Sequence, residues 1–280
     1  MSHQPTADPP DHELIFAAAR GDRRAFDRFV TRHAASVHRL ARASTTDEGT
    51  AEDVVQDAFL AAYRSASTFR PERGPARTWL FAIVRNAARH AGRAVRERPQ
   101  AHPVDEEPLL NLGLEAGWGA DLPEEDFERA EKVDRLARAF ASLREDDREV
   151  LVLRDLEQLP GEAVAELLGS TVAGMKSRLH RARLRLLATL REEGGTVVER
   201  ERNIGGLTCS QVLERLGDYV DGESPADEVA RIETHLSDCS VCERFGGRYG
   251  QVVHGVRQRL GASVVDDAQL DRLRRLLAEL

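Results

Sequence analysis

The sequence predicts an all-α fold, and three observations carry that expectation. Apolar residues recur at helical spacing in several segments, no stretch alternates polar and apolar residues over the length of a strand, and no segment repeats another. The 280 residues suffice for about two domains. At 41% hydrophobic and 31% charged, the composition is that of a soluble globular protein and too apolar for wholesale disorder. The longest apolar stretches, Leu14–Ala19 and Val150–Leu153, fall far short of a membrane span of about 20 residues, so no membrane is expected. Residues 1–12, polar and Pro-rich, read as a disordered N-terminus without a secretory signal. Three cysteines, all between positions 209 and 242, argue against a disulfide framework and for a reducing, cytoplasmic setting.

The net charge of -8 is unevenly spread. Arg64 to Arg98 carries nine arginines against two acids, and Lys176 to Arg191 carries six basic residues and no acid. Between them, Pro99 to Glu131 holds ten acids and one arginine. Two local basic segments are thus the footprint of a nucleic-acid binder, or else solvated helix faces. The same shifts organise the chain into helices over 13–98, an acidic linker over 99–131, helices over 132–191, a short linker over 192–206 and a cysteine-bearing tail over 207–280.

In the first block, Thr50 and Asp53 form a helix-start signal, and Val54, Val55, Ala58, Phe59 and Ala62 repeat at helical spacing. The opposite face, Asp53, Gln56, Asp57, Leu60 and Arg64, is an acidic stripe suited to partner docking or to plain solvation. Residues 69–75, with two prolines and a glycine, must turn. The helix that follows, from about Arg77, buries Leu80, Val84, Ala87, Ala88 and Ala91 and turns Thr78, Arg85, Arg89, Arg93 and Arg96 outward. Phe69 and Trp79 sit at the mouth of this basic surface. Guanidinium groups neutralise phosphates and aromatic faces receive unstacked bases, a combination suited to opened DNA, although Trp79 fits a core equally well.

The second block ends in a helix-turn-helix pattern. Gly161 to Leu168 makes a short helix, Gly169 permits a tight turn, and Ser170 or Thr171 caps the next helix. That helix presents Val172, Met175, Leu179, Ala182 and Leu186 on one face. Ala173, Gly174, Ser177, Arg178 and Arg181 lie on the reverse, with Lys176 and His180 on the flanks. Small residues at its start allow entry into a major groove, where arginine and serine can read base edges while the flanking cations hold phosphates. No nucleophile–base set, phosphate loop or open metal site is visible, so the chain is read as a binding protein and not an enzyme.

In the tail, Cys209, His235, Cys239 and Cys242 have the spacing of a closed Cys3His zinc site, with His235 and Cys239 on one helix face and Cys242 one turn on. A redox-active pair or inert cysteines are the alternatives. Residues 251–280 read as continuing helix, with Leu260, Leu270, Leu273, Leu276 and Leu277 apolar.

The segments AEDVVQDAFLAAYRS, FRPERGPARTWLFAIVRNAAR and LREDDREVLVLRDLEQLPGEAVAELLGSTVAGMKSRLHRARLRL resemble the extracytoplasmic-function (ECF) sigma factors of bacteria over residues 13–191. Pro160-Gly161 departs from the polar pair usual in that family and is expected to shorten the first helix of the helix-turn-helix. The stretch from Asp218 to Glu223, with HLSDCSVC, resembles a zinc-binding anti-sigma domain over residues 207–250. These resemblances imply a region 2 helical bundle, a region 4 helix-turn-helix and a small zinc-binding domain. They imply that Asp53, Gln56, Asp57 and Leu60 face the β′ clamp helices of core RNA polymerase. Phe69, Arg70, Thr78, Trp79, Arg85, Asn86 and Arg89 would surround the -10 promoter DNA. Region 4 would contact the polymerase β flap, and Thr171 to Arg185 would read the -35 element. The tail would hold one zinc and contact its own sigma domains, unless it recruits another regulator or only stabilises the chain. A metal- or redox-responsive helix-turn-helix regulator acting without polymerase is the alternative.

Overall fold

A computed structural model describes residues 8–95, 107–120, 130–191, 201–262 and 267–278. The chain divides into two compact units, Met1–Pro99 with Ser263–Leu280, and Gln100–Ala262. Among the described residues the structure is helical apart from one two-stranded ribbon.

The first unit contains α1 (Asp11–Ala19), α2 (Arg23–Ala43), α3 (Glu48–Ser65) and α4 (Ala76–Val95). Helix α1 begins inside the stretch expected to be disordered, and the His33 ring lies 2.9 Å from the Asp11 carboxylate. Asp22 caps α2 by accepting from the backbone N–H groups of Arg24 and Ala25. Helix α3 starts earlier than the Thr50–Asp53 signal implies. Asp47 is the cap, accepting from the Thr50 N–H at 2.8 Å and from the Thr50 hydroxyl at 2.7 Å. Phe26, Phe29, Leu40, Val54, Phe59, Leu80 and Phe81 fill the core, the apolar stripes of four amphipathic helices turned inward. Two short 3-10 turns, Ala66–Thr68 and Pro71–Arg73, join α3 to α4. The C-terminal helix, Asp267–Ala278, belongs to this unit and packs on α2.

The second unit contains α5 (Leu109–Glu115), α6 (Ala130–Ser142) and α7 (Glu145–Leu151), which runs into a single π turn, Val152–Leu156. Then come α8 (Gly161–Leu168), α9 (Val172–Leu190), β1 (Asn203–Ile204), β2 (Leu207–Thr208), α10 (Cys209–Val220), α11 (Ala226–Asp238) and α12 (Ser240–Arg259). Helix α5 corrects the expectation of a plain linker over 99–131. Acids dominate that segment's composition, yet Leu112, Ala116 and Ala120 are buried. Arg191 donates to the carbonyls of Leu114 and Glu115, and Arg248 to that of Ala116. Residues 99–106 and 121–129, and 192–200 of the second linker, lie outside the described residues.

Gly205-Gly206, expected in a linker, is instead the turn of an antiparallel hairpin pairing Asn203 with Thr208 and Ile204 with Leu207. Both glycines have positive φ, 60° and 75°, which a two-residue hairpin turn requires. Helix α12 stops at Arg259 in a 3-10 turn, so residues 251–280 are not one helix. Gly261 weakens helix propensity there.

Candidate nucleic-acid and partner surfaces and a candidate metal centre

On α3 the buried row Val54, Val55, Ala58, Phe59 and Ala62 leaves the opposite stripe outward. Asp53, Asp57 and Arg64 are exposed, and Gln56 and Leu60 half-buried. This surface is acidic with one apolar contact point, as its spacing implied.

The basic surface of α4 is narrower than expected. Arg70, Asn86 and Arg89 are exposed and Thr78 is half-buried. Arg70 is held by its own loop, donating to the carbonyls of Ser67 and Phe69 at 2.9 Å. Phe69 is not an open platform. Its ring is 2% exposed and packs between Phe16, at 6.0 Å between centroids, and Trp79, at 5.5 Å. The half-buried Trp79 therefore presents the aromatic edge, with Phe69 behind it. Arg85 is 6% exposed because it shares a face of α4 with the buried Phe81 and Ala88, four residues before it and three after. The side chains of Arg93 and Arg96 lie outside the described residues.

The helix-turn-helix is built by its turn. Gly169, at φ 66°, closes α8 in the left-handed conformation, and the Thr171 hydroxyl accepts from the Gly174 N–H at 3.0 Å to cap α9. Pro160-Gly161 leaves α8 only eight residues long. Ala173, Gly174 and Ser177 are exposed, and Lys176, Arg178 and Arg181 half-buried. Arg181 donates to the Glu107 carbonyl. Val172 departs from the apolar face and is 39% exposed, since it opens the helix before the first buried residue, Met175.

His180 does not flank a DNA surface. It is buried beneath α10 and α12, with its Nδ1 2.9 Å from the Tyr249 hydroxyl. Gly217 of α10 lies against the ring, and a Cβ there would come within 3.2 Å of Nδ1. Burial, aided by the charge of Arg183, lowers the His180 pKa to about 4.

Beside it lies a cluster that sequence reading missed. Arg183 of α9, 1% exposed, donates to Asp155 of the π turn at 2.6 and 3.0 Å and to Asp221, just past α10, at 2.8 and 3.1 Å. Arg257 of α12 completes the set, 3.0 Å from Asp155 and 2.5 Å from Asp221. Two guanidinium groups thus balance two carboxylates. Burial alone would raise the Asp221 pKa, but Arg183 and Arg257 hold it below the ordinary value. The available signal was Arg183 itself, a charge next to the apolar stripe of α9 that could be buried only with partners. At the start of α9, Lys176 pairs with Asp218 at 3.2 Å and Glu223 at 2.8 Å, and Arg154 also reaches Glu223.

The four candidate metal ligands converge. Cys209 opens α10, His235 lies in the last turn of α11, Cys239 joins α11 to α12, and Cys242 is in the first turn of α12. Cys239 is not on one helix face with His235, because α11 ends at Asp238 and Cys239 is extended (φ -125°, ψ 97°). Their ligand atoms nevertheless all lie within 4.8 Å of one another, and all four residues are buried. His235 Nδ1 lies 3.0 Å from the Leu207 carbonyl and 3.3 Å from that of Ile204. Since carbonyls only accept, Nδ1 carries the proton, and the Nε2 lone pair faces Cys209 Sγ at 3.5 Å. Burial pushes the Cys209 and Cys242 thiols up, and neighbouring sulfurs add to this; a bound cation would outweigh both by stabilising the thiolates. Leu207, Val212, Ile232 and Val241 pack around the site, joined by Trp118 from just beyond α5. The donor set fits a structural zinc ion, held by Cys209, His235, Cys239 and Cys242.

Among the described residues no helix is long and apolar enough to cross a membrane. Residues 29–98 match the Sigma-70 region 2 family, residues 134–186 the Sigma-70 region 4 family, and residues 209–242 a zinc-finger family. The chain is 35% identical over 186 residues to the RNA polymerase sigma factor CnrH of Cupriavidus metallidurans, a match covering 65% of this chain and 96% of that protein. It is 32% identical over 180 residues to the ECF RNA polymerase sigma factor SigM of Mycobacterium tuberculosis, covering 64% and 84%. It is also 32% identical over 184 residues to the ECF RNA polymerase sigma-E factor of Escherichia coli K12, covering 65% and 93%.

Proposed function

The chain belongs to the ECF family of RNA polymerase sigma factors, and we propose that its C-terminal zinc domain restrains the promoter-binding surface of region 4. In this reading the protein brings core RNA polymerase to specific promoters. Asp53, Gln56, Asp57 and Leu60 dock on the β′ clamp helices. Arg70, Thr78, Trp79, Asn86 and Arg89 hold opened -10 DNA, with Phe69 and Arg85 supporting that surface from behind. Thr171 caps the -35 helix; Ala173 and Gly174 let it enter the groove, Ser177, Arg178 and Arg181 read base edges, and region 4 meets the β flap. The pairing of both sigma regions favours this over a helix-turn-helix regulator that ignores polymerase.

The observation that carries the restraint is the engagement of Lys176. Asp218 and Glu223 offer this cation carboxylates in place of DNA phosphates, at a helix start where phosphate contacts are expected. His180 and Arg183, on the same helix, are sealed beneath residues 209–257. Zinc held by Cys209, His235, Cys239 and Cys242 would crosslink α10, α11 and α12. The chain's own residues then do the rest: His235 is oriented by two backbone carbonyls, and α10 and α12 are positioned over α9.

Changing Asp218 and Glu223 together to alanine in the full-length chain tests this. Duplex DNA selected from a random pool for binding to the chain should bind several-fold more tightly, and transcription with core polymerase from a promoter carrying that sequence at -35 should rise. Unchanged DNA affinity in the double variant would refute the restraint. Loss of sequence preference at one -35 position in Arg178→Ala or Arg181→Ala, at a cost of about 1–3 kcal/mol, would locate the readout.

A further inference from the structure

Trp118 belongs to none of the three matched segments: it lies between the sigma regions, yet it packs on the buried cluster containing Cys209, Cys239 and Cys242. The end of α5 aims it there. Gly117, at φ 92°, donates its N–H to the Leu114 carbonyl at 3.0 Å, and the Trp118 N–H reaches the Gly113 carbonyl at 2.8 Å. This pair of bonds is a Schellman stop, which reverses the chain just after the left-handed glycine. Gly113 lies so near α10 that a Cβ there would come 2.5 Å from Leu213 Cδ2, and Arg191 and Arg248 occupy the carbonyls at the helix end. Burial pushes the Cys242 thiol up, and the Trp118 indole N–H, hydrogen-bonded to that sulfur, acts against it by favouring the thiolate. At its other end the segment meets region 4: the Glu107 carbonyl accepts from Arg181, and the Glu107 carboxylate lies 3.7 Å from Arg185.

We infer that Trp118 is a partner of the metal centre in its own right, donating its indole N–H to the Cys242 sulfur, and that metal binding thereby holds residues 107–120 against the zinc domain and keeps Arg181 engaged at the far end of that segment. The docking stands on packing and hydrogen bonds alone; the effect on DNA rests on the reading of Arg181 as a base reader given above. Zinc, when bound, would keep Cys242 ionised and fix it in place. An ionised sulfur is the stronger acceptor, so the indole is held more firmly with the metal than without it. Linkage makes this reciprocal: the docked indole strengthens metal binding by the same factor. Hydrogen bonds of this kind, from residues that touch a ligand and not the metal, are worth about ten- to a hundredfold in metal affinity. Region 4 feels the same factor. A bidentate contact with guanine needs two guanidinium donors, and Arg181 commits Nη1 to Glu107 while the segment is docked. DNA must displace the segment to gain that donor, so whatever holds the segment weakens DNA binding equally.

The experiment uses the full-length chain. Trp118→Phe keeps a ring in place but has no N–H; Trp118→Ala removes both. Zinc affinity is measured by competition with a chromophoric chelator, and docking by amide hydrogen exchange over 107–120 at saturating zinc. Trp118→Phe should lower zinc affinity about tenfold and quicken exchange over 107–120 by a similar factor, with residues 209–242 unaffected; Trp118→Ala should approach a loss of about a hundredfold. In the cobalt(II)-loaded chain, the sulfur-to-metal charge-transfer band should move to lower energy in Trp118→Phe, because a sulfur without its donor releases electron density more readily. Native zinc affinity and an unshifted band in Trp118→Phe would overturn the hydrogen bond, whether or not Trp118→Ala folds. Native exchange over 107–120 in the same variant would overturn the hold on the segment. For Arg181, duplex DNA selected from a random pool for binding to the chain should bind Trp118→Phe up to about tenfold more tightly, and the gain should vanish when Arg181→Ala is added. A gain that survives Arg181→Ala would overturn the engagement of Arg181. So would the absence of a gain in Trp118→Phe when Asp218→Ala with Glu223→Ala does gain. If that pair gains nothing either, the restraint of region 4 fails, while zinc affinity and exchange still decide Trp118.

Discussion

The C-terminal quarter of the chain meets the sigma regions in two different ways. On α9, residues 209–257 form a permanent interior: Tyr249, Val252, Val253 and Val256 are fully buried, and three buried charges, Arg183, Asp155 and Asp221, are balanced by the half-buried Arg257. On α2 and α3, the C-terminal helix contributes one buried leucine and a few exposed ion pairs. A buried charge cluster is unforgiving, because removing one member leaves its partner uncompensated. A surface pair is cheap to break and screened by salt. The first attachment is therefore part of the fold, and the second is suited to release.

The metal site should give the largest effect. Cys239→Ser with Cys242→Ser is expected to abolish the roughly one zinc per chain found by elemental analysis and to strip exchange protection from residues 201–262. Structural zinc is worth about 10–16 kcal/mol in small domains, more than the packing of such a segment can replace. Metal-free native protein purified under reducing conditions would undo the assignment.

The charge cluster comes next. Asp155→Ala should destabilise the second unit by about 3–5 kcal/mol in denaturant titration, because it leaves Arg183 with too little compensation. Asp221→Ala combined with Arg257→Ala should cost less than Asp221→Ala alone, since it restores balance around Arg183 and Asp155. Equal costs would mean that the four groups do not act as one unit.

A third test uses pH. His180 has a pKa of about 4 in the folded chain against 6.5 unfolded, so between these values the unfolded state binds more protons. Stability should therefore be complete above pH 6.5 and fall as pH drops toward 4, by at most about 3 kcal/mol. His180→Gln, which can still hydrogen-bond Tyr249, should flatten that part of the profile relative to wild type. An identical pH slope in the variant would assign the loss to other groups. The smallest effect belongs to Arg272→Ala. It should weaken the C-terminal helix's seat by about 0.2–1 kcal/mol in low salt, with the difference vanishing near 1 M salt.

Much of this was legible from residue order. Gly169 and Thr171 announce a turn and a cap through their intrinsic conformational preferences. The stripes on α3 and α9 follow from a period of 3.6 residues, and the metal set from the spacing of every cysteine with one histidine. Other features were hidden. The basic neighbours of Phe69 suggest an open ring, whereas Phe16, over fifty positions earlier, encloses it. The spacing of His180 suggests a flanking cation, yet Tyr249, which buries it, lies 69 positions further along. The leucines of α5 were masked by the acids around them.

What residue order decides alone here is local: which segments are helical, where they cap, which face is apolar, and which side chains are chemically able to hold zinc. Those properties arise from interactions among residues a few positions apart, and the sequence contains them directly. Tertiary structure decided which outward faces stay open. Arg183, Lys176 and Arg178 are equivalent as cations in the sequence; burial against Asp155 and Asp221 makes the first structural, and Asp218 and Glu223 engage the second. Likewise, nothing near Leu273 in the chain foretells that it sits on α2 and α3. Such pairings depend on the cost of desolvating a charge or exposing a leucine, and that cost is defined only once distant segments have met.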